Sequence, residues 1–327
     1  MSDGLMTPPP APPSITSMLT WDPPAIPVLP TIAVLMALWY MCAAARVHKS
    51  GRRWPWPRTV SFITGCLVLA AVNGLAIEGY GLRLFSAFMF QQLTLTVLVP
   101  PLLVLGSPGR LLLRSTAHRG LGRLVLIAAL AGLRSRTARI LLNPGLTIPL
   151  FLFSYYGLYL SDLFDHLAAT WLGHTALEVF FLATGILFIV PILSTDPLPV
   201  RQSNLGRLFD VFVEMPLHVF IGVILMMAPT PLVATFADPP STWNVNPVKD
   251  QSIAGALAWS YGEPIALVTT VLLAMRWRRD EEREATVREA FTDDHDPDLA
   301  AYNAFLQHLH GRPPQAPPVS SRWARWR

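Results

Sequence analysis

Met215, His218, Gly222 and Met226 recur at steps of three, four and four, so they share one face of a helix. Thioether and imidazole donors on one face suit Cu(I), a soft cation. The same set equally describes an interior histidine packed among space-filling methionines. His174 and Glu178 lie four apart, and their side chains meet on one face. Such a pair can bind a metal, relay a proton, or form a hydrogen bond that makes a buried carboxylate tolerable. Gly262-Glu263-Pro264 sets a carboxylate at a helix weakness, because Pro264 frees the carbonyl of Ser260. Breaks of that kind are tolerated where they line protein or a cavity. Asn73, Gln91 and Gln92 are further polar residues inside apolar runs. Asp162, Asp165, His166, Asp238, Trp243, Lys249 and Asp250 gather near the ends of such runs. They are either loop and capping residues or parts of a metal or partner site.

The elements that must position these groups are hydrophobic. Of 327 residues, 52% are hydrophobic and only 14% charged, against about 25% charged in ordinary soluble domains. This excludes a single soluble globular domain and points to a polytopic membrane protein, all-α in fold class. Seven stretches poor in charge predict seven transmembrane helices: Val28 to Ala45, Thr59 to Ile77, Leu84 to Gly109, Ile140 to Ser161, Val179 to Thr195, Met215 to Ala237 and Gln251 to Met275. The shorter run Leu124 to Leu133 cannot span and is expected to be interfacial or re-entrant. Residues 1–27 form a Pro-rich segment with no basic n-region or cleavage pattern, so no signal peptide is expected. Residues 280–327 form a charged tail, helical near Glu281 to Phe291 and disordered from Pro313 onward. Polar side chains within spans face the bundle or a cavity, because they cost free energy in lipid.

Charge then orients the bundle. With the N-terminus outside and the C-terminus cytoplasmic, all of the 25 Lys and Arg except Arg83 and Lys249 fall on the inner side. The net charge of +4 is therefore a topology signal, and no nucleic-acid partner is expected. Cys42 and Cys66 sit in separate apolar runs, which excludes a disulfide framework or zinc cluster. There is no GxSxG, HExxH, P-loop or GxGxxG motif, so no enzyme class is indicated. Paired-histidine haem ligation would need several mid-span histidines, and only His218 sits clearly mid-span.

Three stretches together resemble a known family. The first is Phe88-Met89-Phe90-Gln91-Gln92 followed by Val99-Pro100-Pro101-Leu102-Leu103-Val104-Leu105-Gly106-Ser107-Pro108. The second is Glu214-Met215-Pro216-Leu217-His218-Val219-Phe220-Ile221-Gly222. The third runs from Asp250-Gln251 through Ala254-Gly255 to Trp259, then Gly262-Glu263, and Asp196-Pro197 also fits. Over about Pro27 to Arg279 the chain resembles the CtaG-type (caa3-type) cytochrome c oxidase assembly factors, seven-span proteins of the bacterial plasma membrane. The resemblance implies a chaperone-like, non-enzymatic role in the respiratory chain, with the oxidase catalytic subunit as partner and copper as cargo or cofactor. It further implies Met89, Met215 and His218 as Cu(I) ligands. Gln91, Gln92, His174, Glu178, Asp250, Gln251 and Glu263 are the other functional candidates. In the family the first motif resembles His-Met-x-Gln-His; here Phe88 and Gln92 occupy the histidine positions, and neither is a good Cu(I) ligand. The alternative, a copper transporter or copper-resistance protein, requires a continuous polar path across the bundle.

Overall fold

The computed structural model describes residues 6–117, 119–196, 202–295, 301–302 and 305–306. The side chains of Leu121, Leu133, Glu214, Met215, Leu217, His218 and residues 287–295 lie outside that description, as do Pro197, Arg201 and the tail from residue 313. The chain forms two compact units, residues 1–273 and 274–327. Among the described residues it is all-helical, with one isolated bridge between Trp21 and Leu75 and no strand.

A short N-terminal turn, α1 (Ile15–Met18), precedes α2 (Val28–Lys49) and α3 (Trp56–Val72). A five-residue helix, α4 (Ile77–Gly81), leads into α5 (Phe85–Leu93), a π-helical turn at Thr94–Leu98 and α6 (Val99–Leu105). Then come α7 (Pro108–Ser115), α8 (Leu121–Arg134), α9 (Arg136–Leu141) and α10 (Pro144–Leu152), followed by a second π-helical turn at Phe153–Gly157. The remainder is α11 (Leu163–Ala168), α12 (Trp171–Leu193), α13 (Asn204–Met227), α14 (Pro247–Ser260) and α15 (Gly262–His295). Among the described residues, four helical stretches are long and apolar enough to cross a membrane: Val28–Lys49, Phe85–Ser115, Trp171–Leu193 and Pro247–Thr286. Large apolar side chains on α2 such as Val34, Leu35 and Leu38 face outward, as lipid contact demands and water would not favour.

Local chemistry explains several boundaries. Thr170, Ser203, Asn143 and Asn246 each accept a backbone N–H as N-caps of α12, α13, α10 and α14. The helix α12 consequently starts at Trp171, eight residues before the expected span. The expected fourth span is broken, because α9 ends at Leu141 and Asn143 restarts the chain as α10. Pro264 behaves as its type predicts, since helix breaks at Tyr261 between α14 and α15. Leu124 to Leu133 lies within α8, whose residues Leu124, Val125 and Ile127 are exposed.

Pro100 and Pro101 cannot donate to Thr96 and Val97, and the π-turn at Thr94–Leu98 lies just before them. The Thr96 carbonyl lies against Gly185 of α12, where any Cβ would collide with it. At one end of α3, Tyr40 donates to the Gly106 carbonyl (2.7 Å), accepts from Trp54 Nε1 (3.2 Å) and stacks on Phe62. Arg58 and Arg114 lie over the Trp54 ring at that end. The opposite end of α3, at Asn73, carries the site described next. There the N-terminal segment runs across the bundle as a strap. Tyr80 donates to the Ala11 carbonyl, Trp243 Nε1 to that of Pro9, Asp22 N to that of Gly74, and Ala76 N to that of Thr20.

Candidate metal centre

Five side chains from four elements converge beneath the strap. Asn73 ends α3, Glu78 comes from α4, Gln91 from α5, and His174 and Glu178 from successive turns of α12. All five are buried, His174 at 4% exposure and Gln91 at 1%. His174 Nε2 lies 3.0 Å from Glu78 Oε1 and 3.8 Å from Glu178 Oε1. The Gln91 amide nitrogen donates to Asn73 Oδ1 (3.0 Å) and Glu178 Oε1 (2.7 Å) and also contacts Glu78 Oε2. One nitrogen and two carboxylate oxygens thus lie within 4.8 Å of one another, a metal-competent grouping.

Among the described residues no lysine or arginine pairs with either glutamate. Two carboxylates buried without a cationic partner are costly. The cluster therefore needs protons or a cation. Access is built in: Glu78, His174 and Glu178 line a cavity of about 160 Å³ walled on its far side by Asp22, Pro23 and Pro24 of the strap. Behind His174 the wall is aromatic, Phe88 meeting the imidazole edge-on at 5.9 Å and packing on Phe164, Phe181 and Phe236.

Some candidate residues from the sequence converge and others separate. His174, Glu178 and Gln91 come together as one site. Gln92 does not join them; it donates to the Ser154 carbonyl and accepts from Tyr159, fastening α5 to the helix beyond. Met89 is fully buried in the core, two residues from Gln91 and so on another side of α5. The backbone of α13 carries Met215 and His218, whose side chains lie outside the described residues. One turn further, Gly222 packs against Gly255 of α14. Met226, on the same face as Gly222, packs against Gly255 of α14 and is partly exposed, while the neighbouring Met227 is 78% exposed.

Asp250 and Gln251 read as structural. The Asp250 carboxylate accepts from Phe85 N (2.6 Å), Ser86 N (3.3 Å) and the Ser86 hydroxyl, so it caps the start of α5. Gln251 accepts from Leu232 N and donates to the Leu225 and Thr230 carbonyls, closing the end of α13. Glu263 sits half-buried in the first turn of α15. The residue that sequence reasoning missed is Glu78. It falls one position beyond the apolar run ending at Ile77, and an acidic residue closing such a run was the available signal.

Known proteins are similar to this chain in sequence. Residues 38–280 match the profile of the cytochrome c oxidase caa3 assembly factor, Caa3_CtaG. The chain belongs to the caa3 assembly factor family. Uncharacterized proteins of Mycobacterium bovis and Mycobacterium tuberculosis are each 33% identical to it over 311 residues, 92% of this chain and 46% of theirs. A Mycobacterium leprae protein is 32% identical over the same shares. The chain thus spans about half the length of the curated relatives it matches. No solved structure matches it. Within the caa3 assembly factor pattern, Phe88 occupies the position where the resemblance expects a histidine, and it stands beside His174.

Proposed function

We propose that this caa3 assembly factor matures cytochrome c oxidase without itself being an enzyme, by holding copper for the haem–copper catalytic subunit. The observation that carries the reading is the buried Glu78–His174–Glu178 grouping on an accessible cavity. Membership of an oxidase assembly family supplies the partner. We further propose a seven-span protein of the bacterial plasma membrane with its N-terminus outside. Supporting that orientation, Arg58 and Arg114 lie at the end of α3 opposite Asn73. Positive charge marks the cytoplasmic side, which leaves the strap and the centre facing outward. An outward-facing centre suits delivery to a partner whose metal is loaded from that side. The residues fit a metal: an imidazole and two carboxylates are competent donors, and among the described residues no lysine or arginine pairs with them.

The test is genetic and chemical. Deleting the gene is expected to lower copper per haem in the purified oxidase together with its activity, and a wild-type copy to restore both. A copy carrying His174→Ala is expected to be made at normal level and not to restore them. Normal copper content and activity in the deletion strain would refute the assembly role.

A further inference from the structure

We infer that the centre formed by Glu78, His174 and Glu178 binds a divalent first-row transition ion rather than Cu(I). This rests on the reading that the chain handles metal, and it names the charge and class of the ion. The first argument is the donor set. One imidazole nitrogen and two carboxylate oxygens form the grouping, with no sulfur among them. Soft thiolate and thioether donors select Cu(I), whereas imidazole with carboxylate suits divalent ions. Met89 lies on another side of α5. Cys66 lies seven residues before Asn73 on α3, about 10 Å along the axis.

The second argument is charge. Two ionised glutamates and a neutral imidazole carry two negative charges in a site that, among the described residues, has no paired lysine or arginine. A dication neutralises them, while a monocation leaves one buried negative charge uncompensated. The third is geometry. Bonds of 2.0–2.1 Å in a tetrahedral site imply donor–donor separations of about 3.3 Å. The separations from His174 to the two glutamates, 3.0 and 3.8 Å, bracket that value.

The fourth concerns Gln91. Its amide points into the cluster, and its Oε1 is buried with no partner. Meanwhile its nitrogen, which bears two protons, faces three acceptor oxygens. A half-turn of the amide brings Oε1 to the ion as a fourth donor and takes the nitrogen away from it. Gln91 reaches over Gly81, where a Cβ would come within 3.3 Å of Oε1, so the amide has the room a larger residue would take.

Full-length protein in detergent, stripped of metal by chelator, is the material for the test. It is titrated separately with Zn(II), with Cu(II), and anaerobically with Cu(I) against a chromophoric Cu(I) chelator. One retained equivalent of Zn(II) or Cu(II) is expected, with Cu(I) lost to the chelator. The paramagnetic resonance spectrum of the Cu(II) form should show coupling to one imidazole nitrogen. His174→Ala should abolish that coupling. The double variant Glu78→Gln, Glu178→Gln should lose the divalent ion while folding at least as well, because it removes two buried charges. Retention of Cu(I) in preference to both divalent ions, or unchanged divalent binding in either variant, would overturn the inference. The oxidase copper measurement separates the two readings. Low oxidase copper on deletion without divalent binding sinks only this inference; divalent binding with normal oxidase copper sinks only the assembly role.

Discussion

Asp250→Ala tests whether a carboxylate in the family-like Asp-Gln motif is a functional group or a helix cap. In the folded protein its oxygens accept from the Phe85 and Ser86 backbone N–H groups and from the Ser86 hydroxyl. Truncation strands the buried Phe85 N–H, which costs about 1–3 kcal/mol. It also removes an anion from the N-terminus of α5, about 0.3–1 kcal/mol. Ser86 is only half-buried and can turn to water. The sum is about 3 kcal/mol, which at roughly 2 °C per kcal/mol for a chain of this size lowers the melting temperature by about 6 °C. Asp250→Asn keeps one acceptor oxygen and should cost about half as much. Thermal unfolding in detergent followed by tryptophan fluorescence reads the stability. Zn(II) retention by the folded fraction reads the site and should be unchanged. A melting point within a degree of wild type, together with lost metal, would show that the cap argument is wrong and that Asp250 serves the site.

Three further perturbations have defined outcomes. Gly222→Ala places a Cβ 2.7 Å from the Gly255 carbonyl; the resulting shift of α13 against α14 should cost about 1–3 kcal/mol, read as a lower melting temperature with metal content unchanged. Tyr40→Phe leaves the Gly106 carbonyl and Trp54 Nε1 without their partner and should cost about 1–3 kcal/mol in the same assay, while Tyr80→Phe, which loses a bond only to the strap, should cost less. Removing residues 1–24 takes away the far wall of the cavity and the hydrogen bonds that tie the strap to Gly74, Ala76, Tyr80 and Trp243. Chelator should then strip Zn(II) about tenfold faster, the factor that roughly 1.4 kcal/mol represents, and an unchanged rate would show that the strap does not limit access.

Much of the bundle was legible because apolar runs and proline are strong local signals. The helix at Val28, the break at Tyr261 and the polar interior of Asn73 and Gln91 followed from them. What escaped depended on caps and on tertiary contact. Glu178 interrupts the uncharged run, so the first turns of α12 fall outside it, although Thr170 marks the helix start. The His174–Glu178 pair was visible from its spacing, but nothing local joins it to Glu78, nearly a hundred residues earlier. Gln92, Asp250 and Gln251 looked chemical by type and bond to backbone and neighbouring side chains, since a buried polar side chain reads the same in sequence whether it meets a ligand or a backbone carbonyl. Phe88 stands where a ligand was expected and supplies the aromatic wall against which His174 rests.

The strap has a consequence for the order in which the protein is made. Its residues are made before their partners: Gly74, Ala76 and Tyr80 follow after two long helices, and Trp243 only after α13. Contacts so distant in sequence are among the last to form. The two ends of the strap are therefore fastened at different stages: Thr20 and Asp22, beside the cavity wall, meet partners that precede α4, whereas Pro9 has none until Trp243 has been made. The last strap contact thus waits on the stretch between α13 and α14, and the segment over the cavity is pinned at its near end before it is pinned at its far one.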